Sequence, residues 1–449
     1  MRHIIYIIGV ALATALPGNI SAQKVYTLQQ IIDSARNNNI AIRNAKQGIK
    51  QARLQRKEAF TKFFPTISGT GLWFNANKGM AQMDIDPSSA ISPELAMTLA
   101  QTLPAEALTA LSSPFGVSMM KNGVLAGISA IQPVFAGGQI VNGNKLAAIG
   151  EEASDLQLNM AENEVIKTAE QYFWQIVTLQ EKMKTVNLVD SLLTSIYRDV
   201  DIAVKAGVTL RNDLLQIQLR QNEVESQKLK LNNGISLVRM LLSQYCGIQD
   251  TAFSVTYNTE IPSPITLKQD HQQALPNTSE YQLLTKQVEA TKLQHKMEIG
   301  KNMPSVGVGV GYNYHNLLEK DHSFAMVFAT VNIPLSGWWG GSHAIERKKI
   351  EHQKAIDQLN DNAQLLTIKM QKAWNDLEEA YQQLSIARRS IEQADENLRI
   401  NRDTYHAGTS TMSNLLEAQL LFQQACDNKT ERYAEYQNKW LEYRLATGQ

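Results

Sequence analysis

Five methionines, Met80, Met83, Met97, Met119 and Met120, crowd one stretch of the chain, and two histidines, His315 and His322, stand seven residues apart further on. Soft thioether sulfurs suit Cu(I), so a role in metal export is one reading. Methionines exposed in a loop need no ligand role, so the plainer reading stands beside it. Elsewhere no group of His, Cys, Asp or Glu has convincing ligand spacing, and no nucleophile stands beside a base. The sequence therefore points to no enzyme and implies no cofactor. Cys246 and Cys426 lie far apart in helical patterns and can pair in an exported chain or remain lone thiols. With 43 basic and 43 acidic residues the net charge is zero, which gives no support to nucleic-acid binding.

Function must then come from the elements that carry these residues. The start, "MRHIIYIIGVALATALPGNISAQ", has a short basic head, an apolar run and small residues before Gln23. It is expected to be a secretory signal peptide, residues 1–22, because the apolar run falls short of the ~20 residues of a membrane helix. No later run is apolar enough to span a bilayer as a helix.

The chain repeats itself. "VKAGVTLRNDLLQIQ" (204–218) returns as "YHAGTSTMSNLLEAQ" (405–419), 201 residues later, with 5 of 15 positions identical. Pro133 and Pro334 keep the same offset, as do Gly247 and Gly448. A second offset, 239, relates "FFPTISGTG" (63–71) to "NMPSVGVGV" (302–310), so the first copy carries an insertion, placed at 76–120. Such self-similarity predicts one architecture written twice: a first repeat at 23–247, a linker at 248–273 and a second repeat at 274–449. Residues 248–269 are expected to form an irregular belt.

Each copy reads helix, strand, loop, strand, long helix, glycine turn, helix. In "VGVGVGYNY" (306–314) the valines and tyrosines take one face and the glycines with Asn313 the other. "VLAGISAI" (124–131) alternates less clearly, and "FAMVFATVNI" (324–333) is apolar on both faces, leaving its outward side open. Strands of about ten residues with one apolar face suit a transmembrane barrel, and equally an ordinary antiparallel sheet.

The helices carry a longer signal. From Val165 to Val204 apolar residues step by four and three, broken at Asp190, and the pattern reappears from Leu366 to Tyr405, broken at Asn401. A period of 3.5 held this long specifies helices coiled on neighbours. Segments 139–206 and 341–407 would each be roughly 100 Å long, and their partners 209–246 and 409–447 about 57 Å. Helices 25–62 and 276–302 are the pieces available to cover the remainder. Glycine is expected to end each long helix, with Thr209, Thr409 or Ser410 capping the next. A generic coiled coil would not explain the strands between the helices.

With its doubled glycine turn (Val204–Gln218, Tyr405–Gln419), the Pro-Val-x-x-Gly and Pro-Leu-x-Gly motifs at Pro133 and Pro334, and the duplicated strand–helix order, the chain resembles the TolC-type outer membrane efflux proteins across its mature length. The resemblance implies a mainly α fold with a membrane β-barrel: a homotrimer whose chains each give four strands to a twelve-stranded barrel in outer membrane lipid, continued by a periplasmic helical tunnel. It implies a tripartite efflux or type I secretion system, with a periplasmic adaptor and an inner-membrane transporter as partners and drugs, metal ions or proteins as cargo. It also implies that Gly207 and Gly408 mark two hairpins at the periplasmic tip. There, Tyr405 and Asp213 would hold the tip closed, and the positions that narrow the pore would be Asn414 and Glu417. Ser410 departs from an arginine common in the second turn, and Asn414 from an acidic residue. The competing expectation is a periplasmic coiled-coil scaffold without a pore.

Overall fold

The computed structural model describes residues 24–449 apart from 90, 318–319 and 336. The expected signal peptide, 1–22, lies outside the described residues. The first repeat opens with β1 (Val25–Tyr26), α1 (Leu28–Asn38) and α2 (Ile40–Thr61), followed by β2 (Thr66–Asn75). Next come β3 (Ala81–Ile85), α3 (Pro93–Thr102), α4 (Ala105–Ser112) and β4 (Phe115–Met119). It closes with β5 (Asn122–Ala136), α5 (Gln139–Lys205) and α6 (Arg211–Cys246). A connecting stretch holds β6 (Ser254–Val255) and α7 (His271–Ala274). The second repeat follows as α8 (Ser279–Lys301), β7 (Ser305–His315), β8 (His322–Asn332), α9 (Gly337–His406) and α10 (Met412–Thr447).

By spatial packing the chain forms two units, each drawing on both repeats. Among the described residues, one comprises 24–48, Asp155–Leu283 and Asn360–Gln449, the other Ile49–Ser154 and Leu284–Leu359.

The second of these holds a four-stranded antiparallel sheet in the order β2-β5-β7-β8, so the two repeats meet at β5 and β7. Register settles what the sequence of β8 left open. Directly opposed residues share a face, and Val310 opposes Val327 while Val308 opposes Ala329. Ala325, Val327, Ala329 and Val331 therefore join Val308, Val310, Tyr312, Ile128, Ile67 and Trp73 on one apolar face. That face is open: Val327 is 84% exposed and Trp73 70%. The opposite face carries Ser68, Thr70, Ser129, Asn313 and the β7 glycines, and Phe328 lies over Gly309, where a Cβ would meet the ring at 2.5 Å.

Two expectations need correction here. Residues 25–62 do not form one helix. Asn39 takes an extended backbone, and its side chain donates to the Tyr245 carbonyl at 3.0 Å and accepts from the Ala41 amide at 2.8 Å, ending α1 and starting α2. β5 does not stop at Ile131 but runs through Pro133, where the register against β7 shifts between Pro133 and Phe135; a proline has no N–H to give the ladder. Within the insertion at 76–120, β3 pairs with β4, with α3 and α4 between them.

In the other unit the seam positions pack as their period requires. Val165, Ala169, Ile176, Val186, Leu193 and Val200 are buried on α5, and Met370, Leu377, Leu384 and Leu398 on α9. An aromatic group that the heptad reading missed thickens this core: Trp174 packs edge-on against Tyr433 at 5.5 Å, and Trp374 against Tyr443 at 5.2 Å. The 248–269 belt is tied to α10 by hydroxyls. Tyr433 donates to the Asn258 carbonyl at 2.5 Å and Tyr436 to the Pro262 carbonyl at 2.6 Å. Cys246 is buried among apolar side chains, which pushes its thiol up to about 12, and both Cys246 and Cys426 are free thiols.

Candidate functional site

The α5–α6 and α9–α10 connections have the same backbone. Long helices end at Lys205 and His406, and their partners run from Arg211 to Cys246 and from Met412 to Thr447, all at the offset of 201. In the first turn the Val208 amide reaches the Ala203 carbonyl at 2.9 Å and the Gly207 amide reaches Val204 at 3.0 Å. In the second, Thr409 reaches Thr404 at 3.0 Å and Gly408 reaches Tyr405 at 2.9 Å. Both are Schellman caps, and both glycines sit at φ +74°, where an L side chain is strained. A Cβ at either would meet nothing within 4 Å, so backbone conformation alone asks for glycine.

The helix starts differ from expectation. Neither Thr209, Thr409 nor Ser410 caps. Leu210 occupies the N-cap of α6 and offers no side-chain bond, while Thr411 caps α10 by accepting from the Asn414 amide at 3.3 Å. Thr209 is otherwise engaged: its hydroxyl donates to Asp213 Oδ2 at 2.7 Å. Tyr405 shares a cavity with Thr209 and Asp213. Burial, and next the Asp213 charge, push the Tyr405 hydroxyl above the ordinary phenol range.

A cavity of about 580 Å³ gathers residues of both turns, among them Gly207, Asp213, Tyr405, Gly408 and Ser410. Its floor is apolar, with Ile196, Val200, Met412 and Leu415 buried together. Asn414 and Glu417 do not line it. They lie three residues apart on the exposed side of α10, where Asn414 Nδ2 donates to Ser410 Oγ at 3.2 Å. Val208 and Leu210, 80% and 72% exposed, give the first turn an apolar surface.

Sequence reasoning missed the polar layer next to this cavity. Arg220 Nε donates to Gln419 Oε1 at 3.0 Å and Arg220 Nη2 to Gln423 Oε1 at 2.8 Å, while Nη1 pairs with Glu223 at 2.7 Å. Gln423 in turn donates to Gln227 at 2.8 Å. Gln419 and Gln423 are buried, so these bonds join α6 to α10 across the repeats. One signal was visible: Asp190, the break in the α5 heptad, accepts from Lys228 at 2.6 Å. Among the described residues no group of three or more His, Cys, Asp or Glu is placed to hold a metal, and Met80, Met83 and Met97 are exposed.

Comparison with known proteins follows the same lines. No curated protein sequence matches the chain significantly. Among solved structures, the chain is similar to the outer membrane protein VceC from Vibrio cholerae, at 13% identity and a TM-score of 0.72, covering 94% of this chain and 96% of that one. It is similar to the CmeC outer membrane channel of Campylobacter jejuni at 14% identity and a TM-score of 0.72, covering 94% and 85%. The MtrE outer membrane channel of Neisseria gonorrhoeae, in its open state, matches at 14% identity and a TM-score of 0.70, covering 94% and 88%. At these identities the likeness shows the fold. Residues 271–449 match the sequence profile described as outer membrane efflux protein. That match covers the second repeat, and over it the chain is similar to the outer membrane efflux protein family.

Proposed function

We propose that the chain is one third of an outer membrane duct: a homotrimer whose twelve strands close a barrel and whose helices form a periplasmic tunnel. The observation that carries this is the four-stranded sheet, one face apolar and open, with β2 and β8 at its edges. Strand edges are not tolerated in lipid, because their N–H and C=O groups find no partner there. A four-stranded sheet cannot close on itself, but three copies joined edge to edge can. A pore-free periplasmic scaffold would have no use for the apolar face. The repeats 23–247 and 274–449 then supply two strands each, and the 248–273 segment is their link.

In this reading the duct serves a tripartite efflux or type I secretion system. A periplasmic adaptor joins its tip to an inner-membrane transporter, and small molecules, ions or proteins pass outward. The two glycine turns form the tip, Tyr405 and Asp213 hold it closed, and Glu417 faces the constriction beside Asn414. Native mass measurement of the protein extracted from outer membranes is expected to give three chains; a stable monomer would overturn the proposal.

A further inference from the structure

The strongest group outside the turns is a pair of imidazoles at the end of the β7–β8 hairpin. His315 and His322 are directly opposed across the two strands. Alternation from Val308, Val310 and Tyr312 places both on the face opposite the apolar one, with Gly309, Gly311 and Asn313. Their ring centres lie 5.3 Å apart, and the planes are tilted by 46°. Phe324, two residues on and on the same face, packs against both rings, at 6.2 Å from His315 and 6.0 Å from His322. His315 Nδ1 is out of contact with solvent and has no hydrogen-bond partner. A polar atom so placed is rare and calls for a partner, an ion included.

We propose that His315 and His322 form a binding site for a divalent transition-metal ion of the Zn²⁺ class. The separation fits. Two imidazoles bound to one ion at about 2.0–2.1 Å with a tetrahedral angle put their ring centres roughly 5.2 Å apart; a right-angled arrangement, as in tetragonal Cu²⁺, brings them to about 4.5 Å. Neutral imidazole is the commonest protein ligand for such ions. His315 Nδ1 and one nitrogen of His322 are the two protein ligands, and water completes the shell. Phe324 packs against both rings, and binding requires the His315 ring to turn enough to open Nδ1 to the ion and its water. The site does not depend on the pore reading, although in a closed barrel this face would be the lumen.

The test uses the full-length protein, purified with a tag that contains no histidine and stripped with chelator. Zn²⁺ alone is titrated in competition with a chromophoric chelator, and Co²⁺ alone is followed by visible absorption. One ion per chain and tetrahedral-type Co²⁺ bands are expected, with His322→Gln and His315→Gln each weakening Zn²⁺ at least about tenfold. In the unmodified sequence, Zn²⁺ should also slow acylation of these two histidines by diethyl pyrocarbonate at least about fivefold relative to His295 and His343, read by peptide mass mapping; this arm needs no variant to fold. Absence of saturable Zn²⁺ binding, binding unchanged in the double variant, or equal acylation with and without Zn²⁺ would overturn the proposal.

Discussion

The first and second glycine turns share a backbone and little else. Gly207 and Gly408 have the same φ, the same pair of amide bonds and the same empty space around a Cβ. Their side chains diverge immediately after. The first turn shows Val208 and Leu210 to solvent and leaves its helix without a side-chain cap; the second shows Thr409 and Ser410, and Thr411 caps its helix. Position by position, Asp213 corresponds to Asn414 and Gln216 to Glu417. Duplication has kept what the backbone requires and freed what a partner or a passing ion would meet. An apolar turn offers a surface for protein contact, and a polar turn with a carboxylate offers a surface for water and cations.

The largest effect should come from breaking the shared part. Gly207→Ala and Gly408→Ala each force a side chain into the left-handed region, costing about 1–2 kcal/mol. Because neither site has neighbours, the two penalties should agree, and amide hydrogen exchange at 203–210 and 404–411 should accelerate alike. A strong asymmetry would mean that the turns are not equivalent.

A smaller effect should come from swapping the caps. Thr411→Ala removes a cap and should destabilise the first turn of α10 by about 1 kcal/mol, whereas Leu210→Ser adds one and should protect α6 by a similar amount. Exchange of the amides at 212–214 and 413–415 reads both. If Leu210→Ser has no effect, Thr209 and Asp213 already satisfy that helix end.

The smallest effect concerns Tyr405 beside the Asp213 charge. Tyr405 titrates above its ordinary value of about 10 because burial and Asp213 favour the neutral phenol. The group contributes its stability fully below pH 10 and loses it as the pH rises past 10 through the raised value. Conductance of the reconstituted protein should therefore stay constant to pH 9 and increase only above about 10. Tyr405→Phe should abolish that alkaline step while raising the conductance at neutral pH.

Much of this was legible in the residues. The offset of 201 located both turns, and the ends of α6 and α10 fall where the repeat put them, because helix termini depend on local chemistry: an αL glycine after the last turn at Gly247 and Gly448. The heptad located the buried seam of α5 and α9 for the same reason. What escaped depends on partners distant in sequence. Asn39 breaks its helix only because the Tyr245 carbonyl is there to receive it. β8 is apolar on both sides, and only its pairing with the clearly alternating β7 tells which side is which. Arg220 looks like any exposed helix arginine until Gln419 and Gln423 arrive from the other repeat. The caps failed because several hydroxyls competed for one role, and Asp213 claimed Thr209 first.

The most direct measurement tests whether the second turn, not the first, sets the electrostatics of a pore. The purified protein would be reconstituted in planar bilayers and its cation preference and block by a trivalent cation recorded for two reciprocal variants. Glu417→Gln gives the second turn the residue of the first, and Gln216→Glu gives the first turn the residue of the second. On the proposed trimer, which would place three Glu417 carboxylates at a narrow, weakly screened constriction, Glu417→Gln is expected to remove most of the cation preference and the block, while Gln216→Glu changes neither and Asn414→Asp strengthens both. Selectivity and block unchanged in Glu417→Gln, or altered as strongly by Gln216→Glu, would contradict the account.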